Sequence, residues 1–445
     1  MGENGETHDR RLQGRFGIGR TPARALTSVL AIALVASALA VLPAAPAHAG
    51  QKVVITGGGW GHGLGLSQWG TYERARKGHK ATRILRHYYS HTDVKKTDLP
   101  KKIRVGLLQA QTLMEFGSKA KGSGNGRVTF SLKGSKPFAT GKSGTTWKVE
   151  PANAGAVKIY KNGNEVSFRG DSSLGGKKPV IIEYKPYGTL LRVIDKDNYY
   201  RHGHMEVGSY GCSGGSGRCM RLMSEVPLEE YVLGIAEVSA SWPTEALRAQ
   251  AIIARTYASH KTQTSGKHRD LCDCAVYDST YDQVYVGDDR RADAGSYWKY
   301  WRRAVRATES HAVLYKGAPI LALYMSSSGG HTENNEDVWG GTPLPYLRGV
   351  PDPADATDAN VNHKWRVVMS RSTFSSKLNA YFGTGKLKKF VIKKPLGVSG
   401  RVTVVDGNGG GVRIVGSTRT VRASGSQVKT ALGLMDTLFQ VKGAG

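Results

Sequence analysis

The stretch at residues 226–257, VPLEEYVLGIAEVSASWPTEALRAQAIIARTY, constrains this 445-residue chain more than any other. A short hydrophobic lead-in (Tyr231, Val232, Leu233, Ile235) runs into a loop, and the loop into an alanine-rich segment of helical period. Pro243 suits the first turn of that helix, because its missing N–H and fixed φ cost nothing there. Glu245 places a carboxylate at the positive end of the helix dipole. Leu247, Ala251, Ala254 and Ala258 recur at helical spacing, while Gln250 and Tyr257, seven apart, share another face. So many alanines imply close approach to whatever packs on the helix. Glu237 lies outside it, between Ala236 and Val238. It is either a structural partner for an arginine or a catalytic carboxyl, since perturbed carboxyls gather at active sites.

A chain of this length that is 39% hydrophobic can bury a sizeable core, and its 57 glycines favour a β-rich or loop-rich protein over a helical bundle. Residues 1–49 are set apart from the fold. Arg10, Arg11, Arg15, Arg20 and Arg24 precede an apolar run at 25–42, and Ala47-His48-Ala49 supplies the small residues of a signal-peptidase site, with Gly50 as the expected mature start. The run is just long enough to be an uncleaved anchor, but the break from Pro43 to Pro46 favours cleavage. The expectation is an exported protein, soluble or surface-associated. Without residues 1–49 the chain keeps 58 Lys+Arg (63 less 5) against 32 Asp+Glu (35 less 3), a net charge of +26. Such charge implies an anionic partner, and export favours an envelope polymer over nucleic acid; a solvated surface is the plainer alternative. Four cysteines in an exported chain read as disulfides. Cys212 and Cys219 flank a Gly/Ser-rich loop that a local bridge closes easily, leaving Cys272 and Cys274 as a tight loop or as thiols. A zinc site from Cys272, Cys274, His268 and His260 matches no strong ligand spacing, so no cofactor is expected.

Along the chain, GGGWGHGLGLSQWG reads as a rigid glycine loop carrying Trp60, His62 and Gln68, followed by helical spacing over 71–90. Ile103 to Leu108 reads as a strand, and 117–200 as a β-rich lobe of hairpins, with firmer strands at 180–184 and 189–194. Past the central helix come a helix near 296–308, strands at 312–315 and 320–324, and the SSSGG run. A linker opens at Pro351-Asp352-Pro353. A helix at 374–382 and β structure over 391–415 follow, and LGLMDTLF lies near the end. Gly211-Cys212-Ser213-Gly214-Gly215 formally matches a nucleophile elbow but lacks the flanking strand and helix.

Taken together, SWPTEALRAQAIIARTYA, DQVYVG, ILALYMSSSGGHTENNEDVWGGTPLPYLRGVPDP, VSGRV and LGLMDTLF resemble, in order, motifs of the SpoIID/LytB family. The best-studied members of that family are lytic transglycosylases acting on peptidoglycan. The resemblance covers nearly all of the chain after residue 49 and implies an α+β fold, a SpoIID-like domain with a β-rich lobe and a helical segment carrying the cleft. The GWGHGLGLSQWG segment (within 50–100) follows the last strand in many relatives; here it leads, which implies a circular permutation ahead of the main domain at 101–445. Where relatives have an EMP-type turn, Glu237 is retained and Val238 and Ser239 replace the other two residues. Some relatives bind zinc near QVY through His and Cys, but Tyr281 and Asp282 stand in those places.

By resemblance Glu237 is the catalytic acid, and Arg255, Tyr257 and Gln250 line the cleft, joined by Gln283, Ser326, Ser328, His62 and Gln68. Arg255 is expected to face substrate carbonyls or a lactyl carboxylate, its structural alternative being a pair with Glu245 or Glu230. Trp60, Trp69, Trp339 and Tyr346 are candidates for stacking on sugars or for the core. The implied partners are glycan strands, anionic wall polymers and, for the LytB branch, a cell-wall amidase. That branch supplies the rival reading, a non-catalytic wall-binding protein. An extracellular nucleic-acid binder is suggested by charge alone.

Overall fold

Alternating apolar and polar residues build most of the first half of the chain. A computed structural model describes residues 51–444 apart from 153–155, 168–177, 186, 213–216, 270–271 and 406–409. The expected leader at 1–49 and the centre of the 211–215 elbow match therefore lie outside the described residues. The remainder forms one compact unit of mixed α and β structure.

Two twisted sheets make a β lobe. A seven-stranded sheet runs in the order Val276–Tyr277, Lys102–Gln111, Arg218–Pro227, His204–Gly211, Val180–Tyr184, Val128–Leu132, Ala139–Gly141. A six-stranded sheet centres on Trp147–Pro151, Met114–Ala120 and Thr189–Val193. Inward residues of the two pack against each other, with the Phe130 and Trp147 rings 4.3 Å apart. The lobe is wider than the sequence suggests. Lys102–Gln111 and Arg218–Pro227 are the second and third strands of its larger sheet, and the latter leads directly into α3 and the site, so the 117–200 boundary cuts through a sheet.

Four helices carry the site: α1 (Gln68–Arg76), α2 (Ala81–Tyr88), α3 (Leu228–Leu233) and α4 (Thr244–Thr264). The helical period over 71–90 is split in two, because Gly78 takes φ +82° between α1 and α2. Helix α4 begins just after Pro243 and is buried on nearly every side. Its alanines let α1, α2, the helix Trp298–Ala307 and the strand His311–Tyr315 close around it. Glu245 does more than meet its own helix dipole: its Oε2 accepts the Ala81 N–H at 2.8 Å, capping α2, whose Lys80 offers no side-chain cap.

A second core gathers Val53, Ile55, Phe374, Leu378, Phe390, Ile414 and Phe439. Here the strand Lys52–Gly57 lies between Trp365–Ser370 and Phe439–Lys442, antiparallel to both. Two strand expectations shorten. Residues 320–324 pair only at Tyr324–Met325, parallel to Leu66–Ser67, and 391–415 resolves into Leu387–Ile392 and Val412–Gly416. The expected linker at 351–353 is instead one of the most enclosed places in the molecule. Asp352 and Asp355 are fully buried. Asp355 accepts from Ser67 (2.7 Å), Ser327 (2.8 Å), the Ser328 and Gly329 N–H groups (both 2.9 Å), and lies 2.9 Å from His363 Nδ1. Proline flanks suggest a linker, but Asp355, just beyond them, ties Ser67 at the end of the glycine loop to the SSSGG run. Among the described residues no helix is long and apolar enough to cross a membrane.

Candidate active site

Helix α3 ends at Leu233, and the chain then runs extended past residues 284–286. Ala236 N–H donates to the Val284 carbonyl (3.0 Å) and Val286 N–H to the Gly234 carbonyl (3.0 Å), with Ile235 bridged to Tyr285. One residue on, a side chain takes over from the ladder: Glu237 Oε1 accepts the Val284 N–H at 2.6 Å. The Tyr324 hydroxyl bonds the same carboxyl. Burial pushes the Glu237 pKa above the ordinary carboxylate range, against the opposing pull of the Val284 N–H and the Tyr324 hydroxyl. Among the described residues no Lys, Arg or His pairs with it. The carboxyl opens into a cleft of about 740 Å³.

The glycine loop forms the opposite wall. Gly59, Gly61, Gly63 and Gly65 all have positive φ, and a Cβ on Gly65 would sit 2.1 Å from the Leu323 carbonyl oxygen. This loop delivers Trp60, His62 and Gln68 to the cleft. Gln68 Nε2 reaches the Glu237 carbonyl and Gln250 Oε1, both at 3.4 Å. His62 accepts the Leu64 N–H at Nδ1 (3.0 Å), the backbone role rather than the sugar role at that nitrogen. Burial first, then Lys429 and Arg401, lower its pKa to about 3, so the ring is neutral at working pH.

The expected site residues divide into three groups. Glu237, Tyr257, Ser326, His62 and Gln68 line the cleft. Gln250 and Gln283 are buried behind it: Gln283 accepts from Tyr231 (3.0 Å) and donates to Tyr324 (3.1 Å), bracing the tyrosine that touches Glu237. Arg255 and Ser328 do not face the cleft. Arg255 is fully buried and makes a two-pronged pair with Glu229, 2.7 Å on each prong, so it meets no substrate. Its structural alternative is the right one, although the partner is Glu229 and neither Glu245 nor Glu230. Ser328 donates to Asp352 (2.9 Å) within the buried carboxylate hub. Of the aromatic candidates, Trp60 (52% exposed) and Trp339 (53%) stand at the cleft, free to stack on a sugar. Trp69 packs against Tyr72 and Trp242, and Tyr346 is buried.

Sequence reasoning missed Tyr324, Lys261 and the role of Asp282. Asp282 lines the cleft, yet it is held by Arg269 (2.8 Å), the Tyr257 hydroxyl (2.6 Å) and the Tyr277 N–H (2.8 Å), with Lys261 at 3.7 Å. Lys261 extends the Gln250–Tyr257 face by one more turn, a spacing the sequence does display. No periodicity marks Tyr324.

With this geometry in place, comparison with known proteins is informative. Residues 216–315, which include Glu237, all of α4 and Gln283, match the SpoIID family model, described as Stage II sporulation protein. Over that segment the chain is similar to the SpoIID family. It is 33% identical over 140 residues to Stage II sporulation protein D of Bacillus amyloliquefaciens, covering 30% of this chain and 40% of that one. Over 141 residues it is 33% identical to the amidase enhancer of Bacillus subtilis, covering 32% of this chain and 17% of the relative. Over 196 residues it is 36% identical to an uncharacterised protein of Brachyspira hyodysenteriae, covering 44% and 43% respectively. The chain thus spans less than half the length of these curated relatives.

Both cysteine pairs of the chain are disulfides, Cys212–Cys219 and Cys272–Cys274. The open alternative for Cys272 and Cys274 is thereby decided: with the sulfurs bonded to each other, neither offers a thiolate to zinc. His260 turns away, its Nδ1 lying 2.9 Å from the Pro319 carbonyl, and His268 lies against Asp273.

Proposed function

We propose that this protein is an exported peptidoglycan lytic transglycosylase that cleaves the β-1,4 bond from N-acetylmuramic acid to N-acetylglucosamine. The observation that carries this reading is Glu237: a carboxyl facing an open cleft, desolvated, without a cationic partner, and held by two neutral donors. Burial favours its protonated form, as an acid catalyst needs. The reaction needs no water. Glu237 gives its proton to the departing glycosidic oxygen as the C1–O bond breaks. The resulting carboxylate, steadied by the Val284 N–H and the Tyr324 hydroxyl, then takes the proton of the muramyl C6 hydroxyl as that oxygen closes on C1. The product is a 1,6-anhydro end, and the enzyme is again protonated. One carboxyl serves both steps, unlike the paired carboxylates of hydrolytic glycosidases. Asp282, occupied by Arg269 and Tyr257, supports the cleft wall rather than the chemistry.

Trp60 and Trp339 would carry sugar rings past the carboxyl. The meeting of Lys52–Gly57 with Phe439–Lys442 supports the permutation reading, because a leading segment and a closing strand that pair can exchange order without moving the cleft. Wall glycan as partner and location outside the membrane belong to the same proposal, supported by the leader-like residues 1–49. A second reading is favoured by the relative named amidase enhancer: a wall-binding protein that acts through an amidase. Peptide-free glycan strands incubated with wild type and with Glu237→Gln decide the matter by mass spectrometry. Anhydro ends from wild type alone support the enzyme; no anhydro ends from wild type would leave the amidase-partner reading.

A further inference from the structure

A second cavity, about 240 Å³, shares no lining residue with the Glu237 cleft. Tyr285 and Gly287 line it, while Val284 from the same segment bonds Glu237. Its charge is lopsided. Arg201 is matched by Asp288 (2.8 Å) and Arg306 by Glu230 (2.7 Å). Arg291 and Arg302 also line the cavity, and among the described residues neither side chain has an ion pair or hydrogen bond. Two uncommitted guanidinium groups facing one concave space focus positive potential there, and their forked N–H donors suit an oxyanion better than an ammonium group would.

The helix Trp298–Ala307 carries the charge beyond the cavity. Trp301, Ala304 and Val305 are its buried face, so Lys299, Arg302, Arg303 and Arg306 fall on the other, spaced three and four apart. That stripe is about 10 Å long. A cavity opening onto a row of cations fits a chain of repeating anions rather than a single small ion.

We propose that this cavity is a second binding site, for a phosphodiester polymer built on short polyols, of the kind threaded through bacterial walls. One phosphate sits between Arg291 and Arg302, and its neighbours follow the stripe. The cavity admits a phosphate with a short polyol, and its free guanidinium groups rather than its size carry the assignment, so a nucleic acid of equal charge is the competing ligand in the test. The site stands on residues the Glu237 chemistry does not use.

Titration calorimetry of the whole protein with polyglycerol phosphate tests it. Arg291→Gln/Arg302→Gln is expected to weaken binding about tenfold or more, from the loss of two charged hydrogen-bonding groups. Lys388→Gln/Lys389→Gln removes the same charge from exposed positions on the strand Leu387–Ile392, away from the cavity, and is expected to leave affinity within about twofold. Equal losses in the two double variants would reduce the site to general charge attraction and overturn the proposal. So would unchanged binding by Arg291→Gln/Arg302→Gln, or tighter binding of a single-stranded oligonucleotide of equal charge. Glu237→Gln is expected to bind the polymer as wild type does, which keeps this outcome separate from that of the glycan digestion.

Discussion

Glu237 and Asp355 are carboxylates withdrawn from solvent, and each residue is met from the end of the same glycine loop, Glu237 at its carbonyl by Gln68 and Asp355 at its carboxylate by Ser67, yet their surroundings differ in kind. Asp355 receives two serine hydroxyls and two backbone N–H groups and lies against a histidine, with no open side. Glu237 receives one backbone N–H and one tyrosine hydroxyl, and its other flank faces a cleft. Donor count separates the two. A carboxylate met by donors on every side braces structure, whereas Glu237, with two donors and a desolvated flank, is pushed above the ordinary carboxylate range and can exchange its proton. Arg255–Glu229 marks a third outcome, a carboxylate spent on a buried guanidinium.

Exchanging the roles should break the contrast. Glu237→Gln is expected to lower the rate of anhydro-end release roughly 10²–10⁴-fold, the usual span of acid–base catalysis, with folding intact by circular dichroism. Asp355→Asn should do the opposite. It sets an amide against converging donors, and a loss of about 3 kcal/mol or more in urea unfolding is expected, with activity falling only as folded protein is lost. If Asp355→Asn melted like wild type, the hub would not hold the loop.

These outcomes bear on what could be read from the chain beforehand. Glu237 was legible because a lone acid in an apolar run is unusual, and α4 because its alanines keep helical period. Strand Val180–Tyr184 was legible as a short apolar, β-branched run bounded by turn residues. Asp352 was misread because proline on both sides looks like a linker, and its partners Tyr88 and Ser328 are distant in sequence. Arg255 was given to the cleft because resemblance names residues without saying which way they point. Tyr324 left no trace, since one tyrosine at a strand end has no pattern to break.

Smaller effects sharpen the distinction further. Arg255→Met strands Glu229 beside a buried cavity and should cost about 3 kcal/mol, measured by denaturant, while the released anhydro fraction per folded molecule stays the same. Tyr324→Phe removes a bond that lowers the Glu237 pKa, so the alkaline limb of the pH–rate profile should move upward. Unchanged limbs would detach Tyr324 from the carboxyl. The slightest effect concerns stability. Because the folded pKa of Glu237 is raised, its stabilising contribution is complete below the unfolded value and fades as pH climbs through the folded one. Glu237→Gln should therefore melt higher than wild type at neutral pH and lose that advantage on acidification, a crossover that scanning calorimetry would record.

The strand Lys52–Gly57 is clasped by Phe439–Lys442, and the loop just after it supplies Trp60, His62 and Gln68 to the cleft. During synthesis the earlier half of that clasp leaves the ribosome long before the later half exists. Until the later half is made, Lys52–Gly57 has only Trp365–Ser370 beside it, so the sheet beneath the loop that carries Trp60 is the last part of the cleft's support to be completed.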